Sequence, residues 1–227
     1  EINGGVPVLV ELIYPDYKIN WEYVSRLISS KTRMIIINSP HNPTGSLLTK
    51  YDIEKLQEIV ANKDIIILSD EVYEHIVFDN SRHESLTKYP DLFGKSIIIS
   101  SFGKTFHATG WKTGYCLAPE DIMSEFRKVH QFNVYASNTP VQFALSDFLQ
   151  NEEEYLKLPD FYQAKRDYFI SLLKNTKLNI IPAKGTYFQL IDFSEFTTEK
   201  DMNLATILTQ KYKIASVPVS AFYKGNI

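Results

Sequence analysis

The 227-residue sequence contains a single cysteine, Cys116, so no disulfide can form within the chain and no Cys-x-x-Cys metal site is possible. No apolar run approaches the roughly 18 residues that a membrane helix needs, and no basic-then-apolar leader opens the sequence. Neither sign of charge dominates, since 24 Lys and Arg residues stand against 27 Asp and Glu residues. We therefore expect a cytoplasmic protein that binds neither nucleic acid nor a membrane.

Several motifs of common enzyme classes are also missing. No Gly-x-Gly-x-x-Gly follows a predicted strand, and Gly-x-Ser-x-Gly, His-Glu-x-x-His and paired metal-ligand spacings are absent. Gly103-Lys104-Thr105 looks like the end of a Walker phosphate loop, but that motif needs a glycine where this chain has Ile98. These absences argue against a nicotinamide Rossmann site, an α/β-hydrolase nucleophile, a zinc protease and a P-loop.

The first half of the chain alternates short apolar segments with helical patterns. The predicted strands are residues 8–12, 33–38, 64–69 and 96–101, and helices are predicted at 21–30 and 52–61. Thr49 and Asp52 form a capping-box pattern at the start of the second helix. Strands that are apolar on both faces and alternate with helices predict an α/β fold with a mainly parallel sheet.

The pattern changes after Pro119. Three successive helices are predicted at 120–132, 139–150 and 160–174, then paired strands at 179–182 and 187–192, and a helix at 198–211 that Thr198 caps together with Asp201. We therefore predict two domains. Residues 1–150 would form part of a large domain with bridging helices, and residues 151–227 part of a small α+β domain.

Ligands of open parallel sheets bind at the carboxyl ends of the strands, so the strand-to-loop junctions are the places to look for a site. At residues 38–45, two prolines and a glycine stiffen the turn. This segment is either an ordinary surface connection or a rigid support that aims the Asn42 amide at a ligand.

Two further junctions carry titratable side chains. Asp70 ends a predicted strand and is either a helix N-cap or a buried carboxylate that needs a cationic partner, with Tyr73 close to it. Lys104 leaves the next strand in a loop that contains glycine. It is a candidate amine nucleophile that would form an imine with an aldehyde cofactor.

Taken together, the junctions carry an ordered set of motifs: Asn42-Pro43-Thr44-Gly45, Asp70-x-x-Tyr73, Ser101-Phe102-Gly103-Lys104 and Gly110-Trp111-Lys112-Thr113-Gly114-Tyr115. This set resembles the pyridoxal-phosphate (PLP) aminotransferases of fold type I, classes I and II. Residues 107–112 are most similar to the methionine and kynurenine aminotransferase branch. The resemblance covers essentially the whole chain, including residues 184–188. It implies the three-layer large domain of that fold, with a mainly parallel sheet, plus part of the small C-terminal domain.

The resemblance also implies a role for each matched residue. Lys104 would hold PLP as a Schiff base and move the substrate proton, and Asp70 would pair with the protonated pyridine nitrogen. Asn42 and Tyr73 would bind the phenolic oxygen of the cofactor. The phosphate would be bound by Ser101 and Lys112, the latter standing where much of the family has arginine.

The resemblance further implies that the chain is an internal fragment. The glycine-containing phosphate turn and the aromatic residue that stacks on the cofactor ring would precede Glu1, and the arginine for the substrate carboxylate would follow Ile227. The arginines present stand at the wrong positions to replace it: Arg26, Arg33, Arg82, Arg127 and Arg166. We therefore expect a parent protein that acts as a homodimer and a fragment that is inactive alone.

The expected reaction is transamination between an L-amino acid and a 2-oxo acid, with methionine, an aromatic amino acid or kynurenine as candidate donors. Two alternatives stay open at this point. The same cofactor residues support a PLP-dependent carbon–sulfur β-lyase, and a non-catalytic PLP-binding domain of a transcription regulator would also carry them.

Overall fold

A computed structural model describes residues 3–223. Among them, four strands form one sheet in the order β1-β2-β3-β4. Strands β1 (Met34–Asn38), β2 (Ile66–Asp70) and β3 (Ser96–Ser101) are parallel, and β4 (Gly114–Leu117) runs antiparallel to β3. The sheet is therefore mainly parallel, as predicted. The register pairs Asn38 with Asp70, so the carboxyl ends of β1 and β2 lie side by side.

The helices of the described residues alternate with these strands and then follow them. They are α1 Trp21–Leu27, α2 Lys50–Val60, α3 Pro90–Phe93, α4 Phe102–Thr105, α5 Glu120–Asn133, α6 Thr139–Phe148, α7 Glu153–Leu156, α8 Leu158–Leu173 and α9 Asp201–Ile207. Short 3₁₀ turns lie at Leu86–Lys88, Thr109–Trp111 and Val219–Phe222, and a π-helical turn at Leu208–Tyr212 continues α9. None of the helices described is long and apolar enough to cross a membrane.

The start of α2 confirms the predicted capping box. The Thr49 hydroxyl accepts a hydrogen bond from the Asp52 amide, and the Asp52 carboxylate accepts one from the Thr49 amide at 2.7 Å. The same carboxylate accepts a 2.8 Å hydrogen bond from the Trp21 indole, which ties α1 to α2. These contacts satisfy amides that the first turn of a helix otherwise leaves without partners.

The main core lies between α1, α2 and one face of the sheet. Its buried members include Trp21, Val24, Ile37, Ile53, Leu56, Ile59, Ile65, Ile67, Leu92 and Ile98. Side chains of a strand alternate between faces, so Ile37 points into this core while Ile36 belongs to the opposite face and is 69% exposed. At β1, the residues that the structure describes therefore cover only one face of the sheet.

The predicted strand at residues 8–12 is wrong. The segment is irregular, and the nearest pairing is a single antiparallel bridge between Ile13 and Lys18. Val6 and Val8 are largely exposed because, among the residues described, no neighbouring strand pairs with them. An apolar, β-branched segment becomes a strand only where a partner supplies the ladder of hydrogen bonds.

Two predictions near the end of the chain also need correction. The paired strands at 179–182 and 187–192 reduce to one antiparallel bridge between Asn179 and Asp192. Thr198 does not cap the last helix, because α9 begins at Asp201. The Asp201 carboxylate instead accepts hydrogen bonds from the amide and the hydroxyl of Ser220, both at 2.7 Å.

The described residues form two compact units. The first contains the residues up to Leu172 together with Ile181–Leu190, and the second contains Leu173–Ile180 and the residues from Ile191 onward. The division of the complete protein into domains at residue 150 stays a prediction. For the site, the useful finding is that Ile181–Leu190 belongs to the same unit as the sheet.

Candidate active site

A cavity of about 550 Å³ lies at the carboxyl ends of the parallel strands. It is lined by Asn38, His41, Asn42, Asp70, Val72, Tyr73, Ile99, Ser100, Ser101 and Lys104. Five of the six residues that the sequence predicts for the site are among them. The parallel topology explains this, because it brings the loops after β1, β2 and β3 to one edge of the sheet.

Asp70 ends β2 and presents a carboxylate to the cavity. Its Oδ1 accepts a hydrogen bond from the Val72 amide at 3.2 Å, and within residues 3–223 it forms no salt bridge. Burial raises the pKa of the Asp70 carboxyl and the neighbouring Glu71 adds to the rise, while the Val72 amide and the charge of Lys104 oppose it. The ionised carboxylate is therefore short of positive charge, and a cationic ligand group would stabilise it.

Asn38 is a site residue that sequence reasoning did not single out. Its Nδ2 donates to the Asp70 carbonyl at 3.0 Å, and its Oδ1 accepts from the Asn42 amide at 2.8 Å. One side chain thus fixes the end of β2 and the start of the Asn42 loop. The available signal was a polar residue at the end of an apolar strand, directly before the predicted junction.

Tyr73 follows β2 with its ring almost completely buried. The ring packs edge-to-face on Tyr187 at a centroid distance of 5.2 Å, and the Tyr73 hydroxyl donates to the Tyr187 hydroxyl at 3.4 Å. Burial, with a contribution from Tyr187, raises the pKa of the Tyr73 phenol. Tyr73 therefore stays protonated and can act as a hydrogen-bond donor in the cavity.

Lys104 lies on the one-turn helix α4, which begins directly after β3. The Ser101 hydroxyl caps this turn by accepting from the Gly103 amide at 3.2 Å. Gly103 has no room for a side chain, because a Cβ atom there would lie 2.9 Å from the Cα of Thr109. The loop thus folds back tightly and holds the Lys104 amine 5.9 Å from the centre of the Tyr73 ring.

A second group of buried polar contacts surrounds Glu71, the residue that follows Asp70. The Glu71 carboxylate is only 1% exposed. It accepts hydrogen bonds from the Ser69 hydroxyl at 2.9 Å and from the Leu86 amide at 3.1 Å, and it lies 2.8 Å from Nε2 of His83. Burial alone would raise the pKa of the Glu71 carboxyl, but hydrogen bonding with His83 and the charge of His83, with further hydrogen bonds from Ser85 and the Leu86 amide, lower it.

Residues 183–188, which we call the strap, pass beside the cavity. The strap carries Tyr187, which sequence reasoning did not assign to the site. Tyr187 also lines a second cavity of about 330 Å³ together with Gly103, Lys104, His107, Thr109 and Tyr162. The only sequence signal was the short similarity of residues 184–188 to the family, which carried no role.

Lys112, the sixth predicted residue, does not line the cavity. It is exposed and has a left-handed backbone conformation, with φ of 52°. Its predicted role at the phosphate stays a prediction. Arg166 has a different function from substrate binding in this structure, because its guanidinium binds the Asp79 carboxylate through two hydrogen bonds of 2.7 Å.

Comparison with known proteins identifies the family to which a chain with this site belongs. The sequence profile of the family "Aminotransferase class I and II" matches residues 1–226. The chain belongs to this aminotransferase family. Methionine aminotransferase of Escherichia coli K12 is 43% identical over 222 residues, which are 97% of this chain and 58% of that protein. Kynurenine–oxoglutarate transaminase of Dictyostelium discoideum is 34% identical, and the match covers 91% of this chain and 52% of that protein.

Solved structures confirm the fold class. A crystal structure from E. coli that identifies a methionine aminotransferase function has a TM-score of 0.97 at 41% identity, covering 100% of this chain and 60% of that one. N-succinyldiaminopimelate aminotransferase from Mycobacterium tuberculosis gives 0.90 at 30% identity, with coverage of 97% and 58%. The chain therefore spans somewhat more than half the length of these relatives.

Aminotransferases of this family use PLP, as predicted, and the residues of the cavity fit it. The cavity offers a carboxylate short of positive charge at Asp70, a protonated phenol at Tyr73 and a primary amine at Lys104. PLP carries the complementary groups, namely a basic ring nitrogen, a phenolic oxygen and an aldehyde. The hydroxyl of Ser101 adds a donor of the kind that phosphate oxygens accept.

Proposed function

We propose that this chain is the cofactor-holding part of an aminotransferase that moves an amino group between an L-amino acid and a 2-oxo acid. The observation that supports this most strongly is one cavity that brings together the carboxylate of Asp70, the phenol of Tyr73 and the amine of Lys104. Asp70 and Tyr73 stand at the end of β2 and Lys104 follows β3, so residues of two strand ends meet in one cavity. A purely structural role would not explain this convergence of polar side chains.

Each residue has a distinct task in this proposal. Lys104 holds the cofactor through its amine and, once released, moves a proton at the substrate Cα. Asp70 keeps the ring nitrogen protonated by pairing with it. Asn42 and Tyr73 donate hydrogen bonds to the phenolic oxygen, and Ser101 with Lys112 binds the phosphate.

PLP, when bound, supplies an electron sink for the pair of electrons left on the substrate Cα after deprotonation. The chain supplies the electrostatic setting for that chemistry. The Asp70 carboxylate is destabilised by burial, so its pairing with a protonated ring is favoured over solvation. Asn38 keeps Asp70 and the Asn42 loop in register through its two hydrogen bonds.

Methionine is the amino donor that we test first, with kynurenine second. The names of the relatives support this order, since the methionine aminotransferase is 43% identical to this chain and the kynurenine–oxoglutarate transaminase 34%. Because this chain spans 58% of the former, we expect the 227 residues alone to turn substrate over poorly and the complete protein to be active.

We further propose that the complete protein is a homodimer. Large apolar side chains on and between α5 and α6 are exposed in this chain: Val129, Phe132, Tyr135 and Phe143. Exposed apolar surface of this extent is typical of interfaces. Sedimentation of the complete protein would test this, and a monomer at micromolar concentration would contradict it.

The activity is tested on the complete protein loaded with PLP. Methionine or kynurenine is supplied with a 2-oxo acid acceptor, and the new amino acid and the new 2-oxo acid are quantified. We expect the two products in equal amounts and only when the acceptor is present. Release of ammonia and pyruvate from a cystathionine-like substrate without an acceptor would instead indicate the carbon–sulfur β-lyase.

A further inference from the structure

The strap is held by backbone hydrogen bonds to two of the three loops that carry predicted site residues. The Lys184 amide donates to the Gly45 carbonyl at 3.0 Å, next to the Asn42 loop. On the other side, the Phe78 amide donates to the Lys184 carbonyl at 2.8 Å, and the Thr186 amide donates to the Ile76 carbonyl at 2.9 Å. The strap therefore joins the loop after β1 to the loop after β2.

Close packing removes the remaining freedom of the strap. A Cβ atom on Gly45 would lie 2.5 Å from the Cβ of Ala183, and one on Gly185 would lie 2.8 Å from the Ile76 carbonyl oxygen. Thr186 is 0% exposed and has a φ of 66°, a conformation that a β-branched residue adopts only where its surroundings impose it. Its neighbour Tyr187 is thus held at a fixed point beside the cavity.

A buried arginine anchors the start of the strap to α8. The Arg166 side chain is 7% exposed, and its Nη1 donates to the Ala183 carbonyl at 2.6 Å as well as to Asp79. The pKa of the Asp79 carboxyl is lowered, chiefly by its hydrogen bond with Arg166. Such a charged, bidentate pair fixes geometry more firmly than a single neutral hydrogen bond.

At this position, Tyr187 contacts Tyr73, the proposed hydrogen-bond donor to the cofactor. Its ring meets the Tyr73 ring edge-to-face at an interplanar angle of 84°, and the two hydroxyl oxygens are 3.4 Å apart. Its ring centre also lies 5.8 Å from the Lys104 amine. Other titratable groups that face Tyr73 are Asp70, Tyr162 and Lys104, whose amine lies 5.9 Å from the centre of the Tyr73 ring. Nδ1 of His107 lies 3.2 Å from the Tyr162 hydroxyl.

We propose that Tyr187 is a positioning residue, which the strap holds in place and which sets the direction and strength of the hydrogen bond that Tyr73 gives to the phenolic oxygen of the cofactor. This inference rests on the proposed function of the cavity. The Tyr73 phenol has one O–H hydrogen, which points to the Tyr187 hydroxyl when no cofactor is bound. When Tyr73 donates that hydrogen to the cofactor, its oxygen accepts from the Tyr187 hydroxyl instead, and this bond and the packed Tyr187 ring together select one orientation of the Tyr73 O–H bond. Hydrogen bonds in such a chain also strengthen one another.

The test is a pH titration of the visible absorbance of the cofactor bound to the complete protein. Tyr73 as a donor favours the anionic phenolic oxygen, so a weaker donor moves the midpoint of the titration to higher pH. We expect Tyr187→Leu to raise the midpoint by at least about 0.5 pH unit. Tyr187→Phe keeps the ring and should raise it less, and Tyr168→Leu, at an exposed position of α8, should leave it unchanged.

A double substitution separates action through Tyr73 from a direct effect. In a Tyr73→Phe background, Tyr187→Leu should add almost nothing to the shift, because the group through which it acts is gone. A shift of full size in that background would overturn the inference. So would a midpoint that is unchanged in both Tyr187 variants.

Borohydride labelling of Lys104 in the same samples distinguishes a failure of the role of Tyr187 from a failure of the proposed function of the cavity. If wild-type protein carries the label and the midpoints do not move, only the role of Tyr187 fails. If wild-type protein carries no label at Lys104, the proposed function fails first. If Tyr187→Leu releases the cofactor, Tyr187→Phe decides the question, since it removes a single hydroxyl.

Discussion

The surroundings of the cavity and the α5–α6 segment differ in how many of their side chains and backbone groups have partners within this chain. Around the cavity, the strap and two loops are joined by short hydrogen bonds and by contacts that leave no room at Gly45. Along α5 and α6, large apolar side chains remain in solvent, and Phe132 is 88% exposed. The strap and the two loops are therefore held by contacts within this chain, whereas the α5–α6 segment exposes apolar surface of the kind that interfaces cover.

The contrast also separates two kinds of residue. Substitutions around the cavity should disturb chemistry, stability or both, because this region carries the proposed site groups and is packed closely against the strap. Substitutions in the α5–α6 segment should leave the fold of this chain almost unchanged and affect only association. The predictions below test this difference, beginning with the largest expected effect.

Asp70→Asn should have the largest effect of these substitutions. It replaces the anion that keeps the cofactor ring protonated with a neutral amide, so we expect kcat of the complete protein to fall about 1,000-fold. Steady-state kinetics with methionine and a 2-oxo acid would measure this. Asp64→Asn is the matched control, because Asp64 is exposed and precedes the same strand. Equal activities of the two variants would contradict the role of Asp70.

Glu71→Gln should destabilise the protein by about 3 kcal/mol, since it breaks a buried charged network beside His83. Urea unfolding at pH 7 would measure the loss, and Glu58→Gln, at an exposed site of α2, is the control.

The hydrogen bonds of Glu71 also determine how the stability of the protein should change with pH. The folded-state pKa of Glu71 is lowered, so its stabilisation is complete above the unfolded-state pKa of about 4.3. It is lost as the pH falls below that value toward the folded-state pKa. The difference between wild type and Glu71→Gln should shrink below pH 4, and a difference that grows there would contradict this assignment.

Gly45→Ala should cost about 2 kcal/mol of stability, because the added methyl group meets the strap and the φ of 71° disfavours any side chain. Weaker PLP binding should accompany the loss, measured by fluorescence titration. Gly5→Ala is the control, since a Cβ atom there contacts nothing within 4 Å. Similar effects of both substitutions would argue against a tightly packed strap.

Phe132→Ser should have the smallest effect on the fold. We expect the free energy of unfolding of the 227-residue chain to change by less than about 0.5 kcal/mol, because the ring is already in solvent. In the complete protein, the same substitution should weaken dimerisation by at least tenfold, as measured by sedimentation. A large loss of stability in the isolated chain would show that Phe132 packs within it.

Local patterns predicted much of the fold. The helix α2 carries its signal in residues that lie three or four apart, and β1 to β3 are short apolar segments whose type needs no distant information. Residues 8–12 are also mainly apolar and yet form no strand, because pairing depends on a neighbour that local sequence does not specify. The contact of the Asp201 carboxylate with Ser220 likewise joins residues that are distant in the sequence.

The candidate site divides in a similar way. Asn42, Asp70 and Lys104 stand at strand ends, where the parallel topology makes convergence predictable. Tyr187 was missed because its contact with Tyr73 joins residues 114 positions apart, through a strap whose path depends on tertiary packing. The ion pair of Arg166 with Asp79 spans 87 positions and is equally invisible to local reasoning.

The central claim is that the Lys104 amine holds the aldehyde of PLP. The complete protein is loaded with PLP and reduced with borohydride, and its peptides are then mapped by mass spectrometry. We predict one pyridoxyl-phosphate adduct, located on Lys104, and none on Lys112 or in a Lys104→Ala variant. An adduct on another lysine, or an equal yield in the Lys104→Ala variant, would contradict the account.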